Sequence, residues 1–211
     1  MKNKFNKIII ASNNEHKISE IKDILEPYGF HVLSMKEAGI NVEIEETGKT
    51  FEENAFIKAK SILDITGEAS IADDSGLEVY ALNGEPGVYS ARYAGEHGNY
   101  KKNNIKLLEK MKDIKDEDRG ARFVSAIVFL TPEGDKITAM GTVEGFIGHK
   151  ERGENGFGYD PLFVIPSLGK TFAELSKDEK NAISHRGNAL LKFKKEFYNK
   201  ILNPNAKNLN E

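Results

Sequence analysis

Apolar residues fall along this chain in short runs of two different periods. Lys7 to Ala11, "KIIIA", is β-branched and too short for a helix, so it predicts a buried strand. From about His16 to Leu25, Ile18, Ile21 and Leu25 recur at the i, i+3, i+7 spacing of one helix face, and Pro27 and Gly29 end the helix. "HVLS" returns to a strand, giving the β-loop-α-β opening of an α/β protein. Thr50-Phe51-Glu52-Glu53 has the form of a capping box. The helix it opens carries Ala55, Ala59, Ile62 and Ile65 and ends near Gly67.

"SIADDSGLEV", Ser70 to Val79, then reads as an apolar strand interrupted by two adjacent carboxylates, Asp73 and Asp74. Gly84 to Gly95 is rich in turn residues and predicts a loop. "NYKKNNIKLLEKM" predicts a helix with Ile105, Leu108 and Met111 on one face, and Lys112 to Arg119 reads as a solvated connection. Ala121 to Thr131 is apolar on both faces, the mark of a central strand covered on both sides. Pro132 to Asp135 is a turn, so "KITAMGTVEGFIG" predicts the partner of an antiparallel hairpin. "PLFVIP" is another short strand, and Ser176 to Glu179 is a second capping box opening a short helix. A last helix runs from about Asn188 to Leu202 on Leu190, Phe193, Phe197 and Ile201. The tail from 203 to 211 reads as frayed. The class is α/β, with a mixed β-sheet flanked by helices.

Composition narrows the function classes. The 211 residues suit a single domain, 1–211, of generous size, or two lobes around a cleft. Thirty Lys and Arg against 33 Asp and Glu give a net charge of -3, which is no nucleic-acid footprint. With no cysteine, disulfides and thiolate metal sites are excluded. No apolar run approaches a membrane span, and the N-terminal one is too short for a signal-peptide core. The expectation is a soluble cytoplasmic protein.

Five stretches have chemistry to offer, and each has an ordinary alternative. "SNNEHK" (Ser12, Asn13, Asn14, Glu15, His16, Lys17) lies where a strand enters a helix, and free N–H groups there attract anions. Lys17 opposes the helix dipole, which a bound phosphate would explain; a solvated lysine beside an N-cap Asn is the alternative. In "EIEETGKTFEENAFIKAK" several Glu crowd one region before Lys58, and Mg²⁺ needs only one or two carboxylates plus substrate phosphate. A solvated acidic loop accounts for most of them, and capping accounts for Glu53. The Asp73–Asp74 pair suits Mg²⁺ and water activation, or else an Asx-type turn. A buried carboxylate pair is costly without a cation, which favours metal. "GENGFGYDPLF" sets Phe157 and Tyr159 to stack on a base, or simply to fill a core around an ordinary turn. "SKDEKNAISHRG" places the donors Lys180, His185 and Arg186 near a helix end, or along a surface helix of mixed charge.

"SNNEHK", "EETGKTFEENAFIKA", "ADDSGLEV", "PGVYSARYAG", "GFGYDPLF" and "KNAISHRG" resemble, in order, the motifs of the non-canonical purine nucleoside triphosphate pyrophosphatases, the inosine/xanthosine triphosphate pyrophosphatase family. The resemblance extends from about Lys7 to Leu202. Ser12-Asn13-Asn14 stands where the family commonly has Thr-Gly-Asn, so the backbone of that loop differs in detail.

The resemblance implies hydrolysis of ITP, dITP or XTP to the monophosphate and pyrophosphate, with Mg²⁺, by a homodimer. It also implies an elongated sheet in two lobes around a central cleft. By position, Ser12 to Lys17 bind the triphosphate. Glu46 and Asp74 are the metal ligands, with Glu45 the weaker claimant, and Asp74 is the proton acceptor. Ser75, Phe157, Gly158, Tyr159, Asp160, Lys180, His185 and Arg186 contact substrate, and Lys58 and Asp73 support the site. A nucleotide-binding module without catalysis, or a pyrophosphatase for other modified nucleotides, is the alternative. Strand alternation adds that Asp73 and Asp74 face opposite ways and have unequal roles, unless a bend at Gly76 brings both round.

Overall fold

A computed structural model describes residues 5–203. Seven strands form one mixed sheet in the order β2-β1-β3-β4-β5-β6-β7. The strands are β1 (Lys7–Ile10), β2 (His31–Ser34), β3 (Ala69–Val79), β4 (Gly120–Leu130), β5 (Lys136–Ile147), β6 (Phe163–Ile165) and β7 (Lys170–Thr171). The helices are α1 (Glu15–Leu25), α2 (Phe51–Thr66), α3 (Tyr100–Lys110), α4 (Lys177–Ile183) and α5 (His185–Phe197). β1 pairs in parallel with both β2 and β3, whereas β6 is antiparallel to β5 and β7. β4 and β5 are neighbours joined by a turn in which Thr131 N–H donates to the Asp135 carbonyl, as the hairpin expectation required. Among the described residues no helix is long and apolar enough to cross a membrane.

The chain divides into two compact units. The first comprises residues 1–74, 126–140 and 189–211. Its β1 alternates between two apolar clusters. Ile8 and Ile10 face Ile18, Ile21 and Leu25 of α1 with Phe193 and Phe197 of α5; Ile9 and Ala11 face Ala55, Ala59 and Ile62 of α2. Each large side chain buried here contributes roughly 1.5–3 kcal/mol. The second unit, residues 75–125 and 141–188, packs Leu77, Val79, Phe123, Phe163 and Phe172 with Leu107 and Met111 of α3.

Helix caps follow the sequence. Thr50 and Glu53 form the reciprocal capping box of α2, and Ser176 and Glu179 that of α4. Helix faces follow it less well. Ile65 and Ile105, expected inside, are 56% and 48% exposed. On α3 the buried positions are Asn103, Asn104 and Leu107, because Asn103 serves the preceding loop. Its Oδ1 accepts from Ala94 N–H at 2.8 Å, and its Nδ2 donates to the carbonyls of Ser90 and Ala91. That polar anchoring sets the helix phase. Arg119, read as part of a solvated connection, is buried. Its guanidinium donates to the carbonyls of Met111, Ile147 and Gly148, closing α3 onto the end of β5. The last helix begins at His185, three residues before the expected Asn188, and gives way to a π-helix over Tyr198–Leu202. The tail expected to fray lies, from 204 on, outside the described residues.

Glu37 ties α1 to the end of β2. Its carboxylate accepts from the amide and hydroxyl of Ser34 at 2.7 and 2.9 Å, and both oxygens accept from Lys22 Nζ at 2.8 Å. The Lys22 hydrogen bond first, and the Ser34 amide next, hold its pKa down at about 2. Because the folded pKa lies below the unfolded value, the resulting stability is complete above about pH 4.3 and is lost as pH falls towards 2. The side chain is 46% exposed, so solvent screening keeps the effect small. A carboxyl NMR titration should give Glu37 a midpoint near 2, and Glu37→Gln should lower stability at pH 6 more than at pH 2.5. An ordinary glutamate midpoint would contradict this.

Candidate active site

β3 carries two acids into the interior of the first unit: Asp73 is 1% exposed and Asp74 is 8% exposed. Strand alternation sends them to opposite faces. Ala69 and Ile71 pack in the cluster of α1, and Asp73 continues that face; Ala72 packs in the cluster of α2, and Asp74 continues that one. Each acid meets a lysine from its own helix. Lys17 Nζ lies 2.7 Å from Asp73 Oδ2, and Lys58 Nζ lies 2.8 Å from Asp74 Oδ1. The separation expected of Asp73 and Asp74 is therefore the geometry found.

The two ammonium groups nevertheless converge. Both donate to the Asp73 carbonyl oxygen, Lys17 at 3.3 Å and Lys58 at 3.1 Å. Lys58 also donates to Glu46 Oε1 at 2.8 Å, joining Glu46 and Asp74 through one cation. Glu45 is exposed and Glu46 half-buried, which separates the two candidates. Burial pushes the Asp74 carboxyl up; Lys58 and Lys17 pull against that rise, and Glu46 adds to it. Burial works against charge on Lys58, but Asp74 and Glu46 outweigh it and raise the lysine pKa. Lys58 is therefore held as an ammonium beside an acid that is a stronger base than an exposed aspartate.

Asn54 was not among the candidates. It sits one turn before Lys58 on α2, is 0% exposed, and donates from Nδ2 to Asp74 Oδ2 at 3.4 Å. A polar side chain in the apolar phase of a helix is the sequence signal that marks it. At the start of α1, Ser12 Oγ accepts from Asn14 N–H, and Asn14 Oδ1 caps the helix by accepting from the amides of His16 and Lys17. Those two amides are engaged by the cap, in line with the N-cap Asn alternative for this stretch. Asn13, Glu15 and His16 are exposed at this end.

The remaining candidates lie in the second unit. Asp160, buried to 3% exposure, is their hub: Oδ2 lies 2.5 Å from Lys180 Nζ and accepts from Phe157 N–H at 2.8 Å. The Lys180 ammonium also lies 5.0 and 5.4 Å from the ring centroids of Phe157 and Phe172. Gly156 is required here, since a Cβ would come within 2.2 Å of Asp160 Oδ2. Gly158 adopts a φ of 63° in the same turn. Tyr159 corrects an expectation. Its ring is buried in the apolar cluster and its hydroxyl donates to the Ser90 carbonyl, so it packs the core and does not present a stacking face. Burial pushes its phenol well above the usual range. His185 stacks on Phe123 at 4.8 Å, and the buried Arg186 donates to Ser75 Oγ at 3.2 Å.

Comparison with known proteins places the chain as a whole. The family model described as "Ham1 family" matches residues 8–196. A Clostridium perfringens protein named dITP/XTP pyrophosphatase is 57% identical over 194 residues, covering 89% of this chain and 95% of that one. A Bacillus subtilis protein of the same name is 51% identical, covering 89% of this chain and 94% of its own length. Among solved structures, the Staphylococcus aureus Ham1 protein superposes with a TM-score of 0.86 at 46% identity, covering 92% of this chain and 99% of that one. With the match running through every strand and helix from β1 to α5, the chain belongs to the Ham1 family.

Proposed function

We propose that this protein is a nucleoside triphosphate pyrophosphatase that hydrolyses ITP, dITP or XTP to the monophosphate and pyrophosphate, cleansing the nucleotide pool. The observation that carries the reading is the buried Asp74, made more basic by burial and held beside Glu46 by one lysine. The relatives named dITP/XTP pyrophosphatase support the substrate class. We read the chain as a single pyrophosphatase domain, cytoplasmic and dimeric.

The donor set fits Mg²⁺. The cluster holds three carboxylates, Glu46, Asp73 and Asp74, against two ammonium groups, Lys17 and Lys58. Among the described residues no group of three or more His, Cys, Asp or Glu side chains gathers to hold a metal. Two carboxylates suffice for Mg²⁺, which takes its other ligands from phosphate and water. Glu46 and Asp74 would hold it, and when bound it supplies charge neutralisation on the phosphate oxygens.

The chain's own residues then divide the work. Asp74 orients a water in line with the departing pyrophosphate and accepts its proton as the new oxygen–phosphorus bond forms at the α-phosphate. The bond from the α-phosphorus to the bridging oxygen breaks, and pyrophosphate leaves. Lys17 and Lys58 turn from the Asp73 carbonyl to phosphate oxygens while keeping their carboxylate partners, with the Ser12–Asn14 turn beside them. In the second unit, Lys180, His185 and Arg186 offer donors that match a 6-oxo purine and leave the 6-amino group of adenine unmatched. Phe157, flanked by Lys180, is the remaining stacking aromatic.

Incubation with ITP or XTP and Mg²⁺ should yield monophosphate and pyrophosphate. Orthophosphate alone, or turnover no faster than with ATP, would contradict the reading. Asp74→Asn should reduce kcat by about 10²–10⁴-fold while the protein stays folded. Asp73→Asn should fail differently: removing the negative charge opposite Lys17 should cost about 3–5 kcal/mol in urea denaturation and raise KM. Equal stability and equal kcat loss in the two variants would sink this division of labour.

A further inference from the structure

We propose that Asn54 is a positioning residue that fixes the distance and orientation between Asp74 and the loop carrying Glu46. The inference rests on the pyrophosphatase reading and extends it to a side chain to which that reading gave no role.

Both ends of the Asn54 amide are used, and each end reaches one side of the cluster. Nδ2 donates to Asp74 Oδ2, while Oδ1 accepts from Gly48 N–H at 2.8 Å, two residues beyond Glu46. Lys58, one turn further along α2, holds the other Asp74 oxygen and also Glu46. The carboxylate of Asp74 is thus gripped at both oxygens by two side chains four residues apart on a single helix. Lys58 is a flexible point charge, free to follow any anion. The Asn54 amide is short, planar and fully buried, so it supplies the fixed part of the arrangement.

Gly48 shows how close the fit is. A Cβ there would lie 2.7 Å from Asn54 Oδ1, 2.7 Å from Glu53 Cβ and 2.9 Å from the Asn54 backbone nitrogen. The loop thus lies directly against α2 at the point where Asn54 holds it. Outer hydrogen-bond partners of metal-binding carboxylates typically affect affinity or rate by about 10–100-fold. The expectation here is of that size.

Three variants test the two arms. Asn54→Asp keeps the acceptor for Gly48 and replaces the donor facing Asp74 with an acceptor. Gly48→Ala pushes the loop off Oδ1. Asn54→Ser shortens the side chain and loses reach to both sides without adding charge, and serves if the aspartate variant does not fold. With dITP as substrate, Asn54→Asp should lower kcat about 10–100-fold with KM changed less than about threefold. Gly48→Ala should raise the Mg²⁺ concentration for half-maximal activity about tenfold or more. Without nucleotide, the rise in Tm produced by Mg²⁺ alone should shrink in every variant that folds. Wild-type kcat, Mg²⁺ requirement and Mg²⁺-induced Tm shift in the folded variants would overturn the proposal. If the wild-type protein itself fails to release pyrophosphate from dITP, the pyrophosphatase reading is what falls.

Discussion

Two carboxylates that share a peptide bond but cannot share a face govern the first unit. β3 runs between β1 and β4, and its alternation sends Asp73 towards α1 and Asp74 towards α2. Each buried acid needs a cation, because an isolated buried charge costs several kcal/mol. The helix on each side supplies one: Lys17 near the start of α1 and Lys58 in the middle of α2. The two lysines can meet at the Asp73 carbonyl only because a backbone oxygen, unlike a side chain, lies in the sheet and is within reach from both faces. The apolar clusters on either side hold the helices against the strand at the distance these pairs require.

The second unit solves a comparable problem with one acid. Asp160 receives both a lysine and a backbone amide on the same oxygen, so it fixes the turn at Phe157 and the position of Lys180 together. The rings of Phe157 and Phe172 lie against the ammonium, in the arrangement in which the negative face of a ring favours a cation. Arg119 does similar work within the fold. Burial lowers its pKa, yet it stays a useful cation because backbone carbonyls surround it.

What the sequence made legible were features with a local cause. The β-branched run of β1, both capping boxes and the opposite facing of Asp73 and Asp74 depend only on neighbours a few residues away. What it concealed depended on distant partners. Ile105 follows the apolar period of α3, but the phase of that helix is set by Asn103 reaching back to the loop at Ser90 and Ala94. Tyr159 sits within a motif-like stretch, and only its neighbours in space show that it faces inward. Asn54 was not singled out from the sequence, because its meaning requires Gly48 and Asp74 to be nearby.

The choice of lysine at 17 and 58 follows from the same geometry. Arginine would offer a planar fork suited to one fixed carboxylate, whereas an ammonium is a compact charge on a flexible stem with three rotatable donors. Lys58 already divides those donors among Glu46, Asp74 and the Asp73 carbonyl. The carbonyl is the weakest of the three acceptors, because it carries no net charge. On the proposed reading, a polyphosphate at this cluster would replace the contact that costs least to surrender, and the carboxylate contact that keeps Lys58 charged would remain. A cation with three acceptors can change one of them without ever being left unpaired in the interior.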